Sequence, residues 1–155
     1  MGTSRNINYY TPDCEVIGVD YSPSAIEIAL TKNSPTNISY RLEDVENLSF
    51  KDNTFDTVVD TFGLEYYLNP RQALKEMRRV CKKDGYILLL NQGAVDNYWL
   101  QKYYRFTLPI ILMKFGYFPH RPWDKIVDDM GFQVVQRKRF LNGSVYYQIL
   151  QNNKD

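Results

Sequence analysis

Short apolar runs alternate with amphipathic stretches along most of the chain. "EVIGVD" (15–20) is a brief apolar run ending in Asp20, the pattern of a strand covered on both faces in a parallel sheet. Ser22 and Pro23 follow as an N-cap and first-turn pair. Ala25, Ile26, Ala29 and Leu30 then recur at helical spacing, which predicts a helix over 23–32 with one apolar face. "NSPTN" breaks that helix, "ISYRL" (38–42) is the next strand, and "FDTVVDTF" (55–62) is a third. Asn69 and Pro70 open a second helix whose buried stripe is Ala73, Leu74, Met77, Val80 and Cys81. Lys75, Arg78, Arg79, Lys82 and Lys83 occupy its other side and read as a solvated face. Asp84-Gly85 marks a turn, and "YILLL" (86–90) is a continuous apolar strand.

Strands alternating with helices specify an α/β fold with a doubly wound parallel sheet. The end of the chain departs from that rhythm. Pro122 opens a helix with Trp123, Ile126, Val127 and Met130 on one face, and Gly131 closes it. "FQVVQRKRFL" and "SVYYQILQ" then flank Asn142-Gly143, a strong two-residue hairpin signal. An α/β sheet finished by an antiparallel hairpin is a narrower class than a plain nucleotide-binding fold. The polar end of the chain, "QNNKD", is expected to fray, so the domain is expected to occupy 1–151 with 152–155 as a tail.

The 155 residues suit one domain with a core of ordinary size. A formal net charge of +1 gives no bulk electrostatic signal for nucleic acid or for an anionic membrane. Cys14 and Cys81 stand far apart and form no disulfide framework, which points to free thiols and an intracellular protein. No window approaches the roughly 18 apolar residues of a spanning helix. The nearest, 108–118, is interrupted by Lys114 and Gly116, so the chain is not expected to be transmembrane.

An acidic residue closing the second strand of a nucleotide-binding α/β unit accepts hydrogen bonds from ribose hydroxyls, about 20 residues beyond the glycine loop. Counting back from Asp20 reaches Gly2, where that loop should be. "GTSRNINYYTPDCEVIGVDYSPSAIEIA", "EDVENLSFKDNTFDTVVDTFGLEYYLNP" and "ALKEMRRVCKKDGYILLLNQG" occur in that order. In sequence, order and spacing they resemble the class I S-adenosylmethionine-dependent methyltransferases of the ubiquinone/menaquinone-biosynthesis type and related mitochondrial methyltransferase-like proteins. The resemblance implies a Rossmann-like sheet, mostly parallel, with a C-terminal antiparallel hairpin. It also implies that the family's first strand and the first half of its glycine loop are missing ahead of Met1, a truncated N-terminus.

Carried onto this chain, the resemblance puts Gly2 and Thr3 in the loop around the carboxypropyl end of S-adenosylmethionine. Asp20 would hold the ribose hydroxyls, and Tyr21 would pack on the adenine. Asp44 would accept from the adenine amino group with Val45 beside the ring, and Thr61 and Phe62 would line the methionine end. The bland alternative makes Asp20 and Asp44 turn or cap residues. Because a sulfonium methyl is already activated, the protein mainly aligns the acceptor and excludes water, and a dedicated base is optional. Glu65, Tyr66 and Tyr67, just after the third strand, are candidates for acid–base work. The single histidine, His120, is a further candidate, although a lone histidine before "RPW" is more often structural. No cluster has metal-ligand spacing.

In such folds the segment 96–118 forms a lid over the acceptor site. Here Trp99, Tyr103 and Phe106 share a helical face, as do Leu100 and Tyr104. A small-molecule or lipid-like acceptor suits it, and so does a protein partner covering this segment or the edge left by the missing strand. "NQG" (91–93) departs from the family, whose members often carry an acidic residue followed by His there. Two functions stay open: methyl transfer once the missing strand is supplied, or a catalytically inactive, pseudoenzyme-like subunit of a larger assembly, with mitochondria a plausible compartment.

Overall fold

The capping signal at Ser22 is met, since its hydroxyl accepts from Ala25 N at 3.3 Å and Pro23 occupies the first turn. The computed structural model describes residues 1–33, 37–95, 97–118 and 121–154, the side chains of Ile111 and Phe115 aside. These fall into two compact units, Met1–Ser49 and Phe50–Asp155. The first holds a short 3-10 turn (Ile7–Tyr9), β1 (Glu15–Asp20), α1 (Pro23–Leu30) and β2 (Asn37–Leu42). β1 and β2 pair in parallel from Glu15↔Asn37 to Asp20↔Leu42, with α1 as the connection that parallel neighbours need.

The second unit contains β3 (Phe55–Thr61), α2 (Pro70–Val80), β4 (Cys81–Gln92), α3 (Tyr98–Phe115), α4 (Trp123–Asp129), β5 (Gln133–Phe140) and β6 (Val145–Gln151). Its four strands run in the order β3-β4-β6-β5. β3 and β4 are parallel, whereas β6 is antiparallel to both β4 and β5. The α/β architecture with a terminal antiparallel hairpin is therefore present. Asn142 and Gly143 both take positive φ, at 55° and 84°, the type I′ geometry that matches the twist of paired strands.

All five residues of the α2 stripe, Ala73, Leu74, Met77, Val80 and Cys81, are buried. Asn69 Oδ1 accepts from Gln72 N at 3.2 Å and starts the helix. The basic side of α2 is only partly a solvated face. Arg79 is bound to Glu76, Asp52 and the Phe50 carbonyl, and Arg78 to the Met130 carbonyl and Asn153.

Two local expectations change. Asp84-Gly85 does not end an element, because β4 runs from Cys81 through it as an irregular strand. Asp84 has φ 61° there, and a Cβ on Gly85 would lie 2.6 Å from the Asp56 carbonyl oxygen, so the close backbone approach demands glycine. Asn152 and Lys154, in the stretch expected to fray, are anchored. Asn152 is fully buried, and its amide donates to the carbonyls of Arg78, Cys81 and Lys82 at 2.8 to 3.1 Å. Lys154 Nζ donates to those of Arg78, Arg79 and Cys81. Both side chains answer the same demand, the unpaired carbonyls at the end of α2, where a cation is further favoured by the helix dipole.

Asn152→Ala should lower the free energy of unfolding by about 1–3 kcal/mol, because it removes a buried amide and takes the donor from the Lys82 carbonyl, while Lys154 still reaches those of Arg78 and Cys81. Urea unfolding checks this; a midpoint equal to wild type would show that the tail contributes nothing.

Candidate active site

In the first unit the acid at the end of β1 organises the loop around it. Asp20 Oδ2 accepts from Gly2 N at 2.6 Å and Oδ1 from Ser22 N at 2.9 Å. Eighteen positions of sequence separation thus close into one hydrogen bond, with Gly2 at φ 58°. Thr3 lies half-buried beside it in sequence. Oδ2 also pairs with the Met1 ammonium at 3.5 Å, and because a carboxylate oxygen can accept two bonds the remaining capacity lies on Oδ1. A shallow cleft of about 430 Å³ is lined by Tyr21, Pro23, Leu42, Glu43 and Asp44. Tyr21 is 79% exposed, and Asp44 turns its own loop by accepting from Glu46 N at 2.9 Å. Val45 is half-buried and does not line the cleft.

Sequence reasoning missed Leu42 and Glu43. Their signal was register: Leu42 is the strand partner of Asp20, so both reach the same end of the sheet.

In the second unit the residues after β3 are held by a buried carboxylate. Asp60 accepts from Tyr67 OH at 2.7 Å, Asn91 Nδ2 at 2.9 Å and Leu64 N at 3.2 Å. Asn91 Oδ1 in turn accepts from Gly63 N and Leu64 N at 3.1 and 3.2 Å. Burial pushes the Asp60 carboxyl above the usual carboxylate range, against the pull of these donors. A Cβ on Gly63 would collide with Asp60 Oδ1 and the Tyr67 hydroxyl. Thr61 is half-buried, and Phe62, 43% exposed, has φ 55°, an uncommon backbone state for a bulky residue.

That turn places Glu65 in the interior, 3% exposed. Its carboxylate receives backbone hydrogen bonds from Glu65 itself and from Gln92, while Oε2 has no partner among the described residues. Burial pushes the carboxyl up to about 7; the nearby Asp60 adds to this, and Arg121 opposes it. Tyr66 is exposed, with its ring 5.8 Å from that of Tyr117, and partial burial together with Glu65 pushes its phenol up. Tyr67 is spent on Asp60. His120 lies outside the described residues. The segment after α3 is tied to this turn: Phe118 N donates to Glu65 O at 2.8 Å, and Arg121 donates to Leu64 O and Tyr67 O.

Gly2, Thr3, Asp20, Tyr21, Asp44 and Val45 thus belong to the first unit, and Thr61, Phe62, Glu65 and Tyr66 to the second. Asp60 and Asn91 escaped the sequence reading, because nothing in a strand-end Asp tells that its carboxyl is fully buried.

A family model described as "Methyltransferase domain" matches residues 1–89, more than half of the chain. The chain belongs to this methyltransferase-domain family. The phosphatidylethanolamine N-methyltransferase of Cereibacter sphaeroides is 32% identical over 100 residues, 62% of this chain and 49% of that protein. The demethylmenaquinone methyltransferase of Staphylococcus saprophyticus is 37% identical over 101 residues, 62% of this chain and 43% of that protein. The matches thus span less than half the length of these two relatives. Among solved structures, the methyltransferase bound to the Trm112 activator of Haloferax volcanii superposes with TM-score 0.72 at 14% identity, over 91% of this chain and 72% of that one. A Methanosarcina mazei S-adenosylmethionine-dependent methyltransferase gives 0.69 at 20% identity, over 91% and 83%. The fold is that of the Rossmann-like class I methyltransferases.

S-adenosylmethionine is the cofactor this membership indicates. The first unit's chemistry fits it: two carboxylate acceptors and an exposed aromatic ring suit ribose hydroxyls, an amino group and a flat base. The orphaned Oε2 of Glu65 is a second polar feature that the protein's own groups leave unmatched.

Glu65 titrates above an exposed glutamate, so the native state keeps a proton that the unfolded chain releases between pH 4.5 and about 7. Its stabilising contribution is complete below that window and is lost as pH rises through it, at up to about 1.4 kcal/mol per pH unit. Glu65→Gln should flatten this slope in urea unfolding series; an unchanged slope would show that Glu65 titrates normally.

Proposed function

We propose that the protein transfers the methyl group of S-adenosylmethionine to a small-molecule or lipid-like acceptor. The observation that carries this reading is the Tyr21–Asp44 cleft next to the hydrogen-bonded Asp20–Gly2 pair, within a chain of the methyltransferase family. The cofactor supplies a methyl group already activated on sulfur. Asp20 holds the ribose hydroxyls, Tyr21 covers the base, and Asp44 accepts from its amino group with Val45 alongside. Gly2 and Thr3 shape the loop, while Thr61 and Phe62 border the methionine end. Glu65 takes a proton from the acceptor as it is methylated, a role suited to a carboxyl held near neutrality. Relatives named for a phospholipid and a quinone precursor support a lipid-like acceptor. The free thiols, Cys14 exposed and Cys81 buried, favour an intracellular setting, mitochondrial or cytoplasmic.

A second reading, a catalytically inactive subunit of a larger assembly, is favoured by the sheet edges. Among the described residues β1 pairs with β2 alone and β3 with β4 alone, so each leaves an edge that can take a strand from a partner.

Calorimetric titration with S-adenosylhomocysteine separates the two. Micromolar binding, weakened about 10- to 100-fold by Asp20→Asn or Asp44→Asn, is expected for hydrogen bonds to charged groups. A folded protein that takes up no S-adenosylhomocysteine would overturn catalysis and leave the subunit reading.

A further inference from the structure

α3 is apolar on two opposite sides. Tyr104, Thr107, Leu108 and Leu112 are half-buried. On the other side Trp99, Tyr103, Phe106, Ile110 and Met113 fall within an arc of about 80° on the helical wheel. All five are between 61% and 89% exposed. An apolar helix face is ordinarily covered. This helix, with Pro109 inside it, presents an apolar stripe to solvent over most of its 18 residues.

The charges on the helix have one sign: α3 carries Lys102, Arg105 and Lys114 and no Asp or Glu, and the nearest acids along the sequence are Asp96 and Asp124. Lys102 flanks the stripe, with its ammonium 5.9 Å from the Trp99 ring centroid. Lys102 and Arg105 also line a cleft of about 580 Å³ with Tyr98 and Leu108 at the foot of the helix. Neither is paired with an acidic side chain among the described residues, unlike Arg79 on α2, which is held by Asp52 and Glu76. A second copy of the chain would bring like charges together along such a stripe. An anionic surface meets both features at once, taking the apolar stripe into its acyl boundary and the cations at its phosphates.

We infer that α3 is an interfacial membrane-docking helix that lies on anionic phospholipid. It does not span the bilayer: no helix among the described residues is long and apolar enough to cross one. Aromatic residues with lysine beside them are the side chains that settle at the level of lipid headgroups. The docking does not depend on which acceptor the protein methylates.

Sedimentation with vesicles tests it. The protein should bind phosphatidylcholine vesicles containing phosphatidylglycerol at least tenfold more tightly than phosphatidylcholine alone, and less tightly as salt rises. Lys102→Ala with Arg105→Ala should weaken that binding by about thirtyfold, at the usual contribution of a basic residue near such a surface. Phe106→Asp with Met113→Asp should weaken it at least as much. S-adenosylhomocysteine binding by the same variants tracks their fold and tests the methyltransferase reading separately. Absence of vesicle binding, or binding indifferent to both pairs, would overturn docking. So would a wild-type dimer in analytical ultracentrifugation that Phe106→Asp with Met113→Asp dissolves, since the stripe would then serve a second copy.

Discussion

A carboxylate almost wholly out of water is the constraint on which one end of the second unit rests. An uncompensated charge at Asp60 would cost several kcal/mol. The chain answers with three donors drawn from three places: the Tyr67 hydroxyl, the Asn91 amide at the end of β4 and the Leu64 backbone. Meeting all three folds the residues after β3 back over the strand end. Gly63 then has no room for a side chain, Phe62 adopts a left-handed backbone, and Glu65 is carried inside. The unusual carboxyl at Glu65 is thus a consequence of how Asp60 is satisfied.

Asp20 is the instructive contrast. It too is an acid near the end of a parallel strand, yet its side chain remains 22% exposed, and its donors are the backbone amides of Gly2 and Ser22 with the Met1 ammonium at 3.5 Å. Residues of one type at equivalent strand ends therefore do different work. The partly exposed carboxylate keeps a side toward solvent, where the proposed cofactor would meet it, and the buried one spends its capacity on the fold. Burial and donor supply, rather than residue identity, separate a binding acid from a structural one.

Most elements were legible because each carries its own punctuation: Ser22-Pro23 and Asn69-Pro70 start helices, Gly131 ends one, and Asn142-Gly143 turns a hairpin. The misreadings share a cause. At Asp84-Gly85 a turn signature is overridden by the register of β3 against β4, where the close approach of Asp56 makes a bulge of it. At Asn152 and Lys154 polar composition suggested fraying, but the carbonyls needing partners lie some seventy residues earlier, at the end of α2. The site divides the same way. Asp20, Tyr21 and Asp44 are local features of strand ends, whereas the Asp60–Asn91–Tyr67 arrangement exists only once β3 and β4 are paired.

Net charge misleads for a similar reason. A formal +1 over 155 residues averages an acid-containing body with a segment, 97–123, that holds four cations and no acid. Bulk charge describes how the whole molecule is steered; a surface a few residues wide responds to what lies within about a Debye length of it. That segment is also not mechanically independent. α3 ends at Gly116, in a left-handed C-cap, and two residues later the chain is bonded to the Glu65 turn through Phe118 and then through Arg121. Hydrogen bonds thus join the chain just past the stripe-bearing helix to the turn that holds Glu65 in the interior.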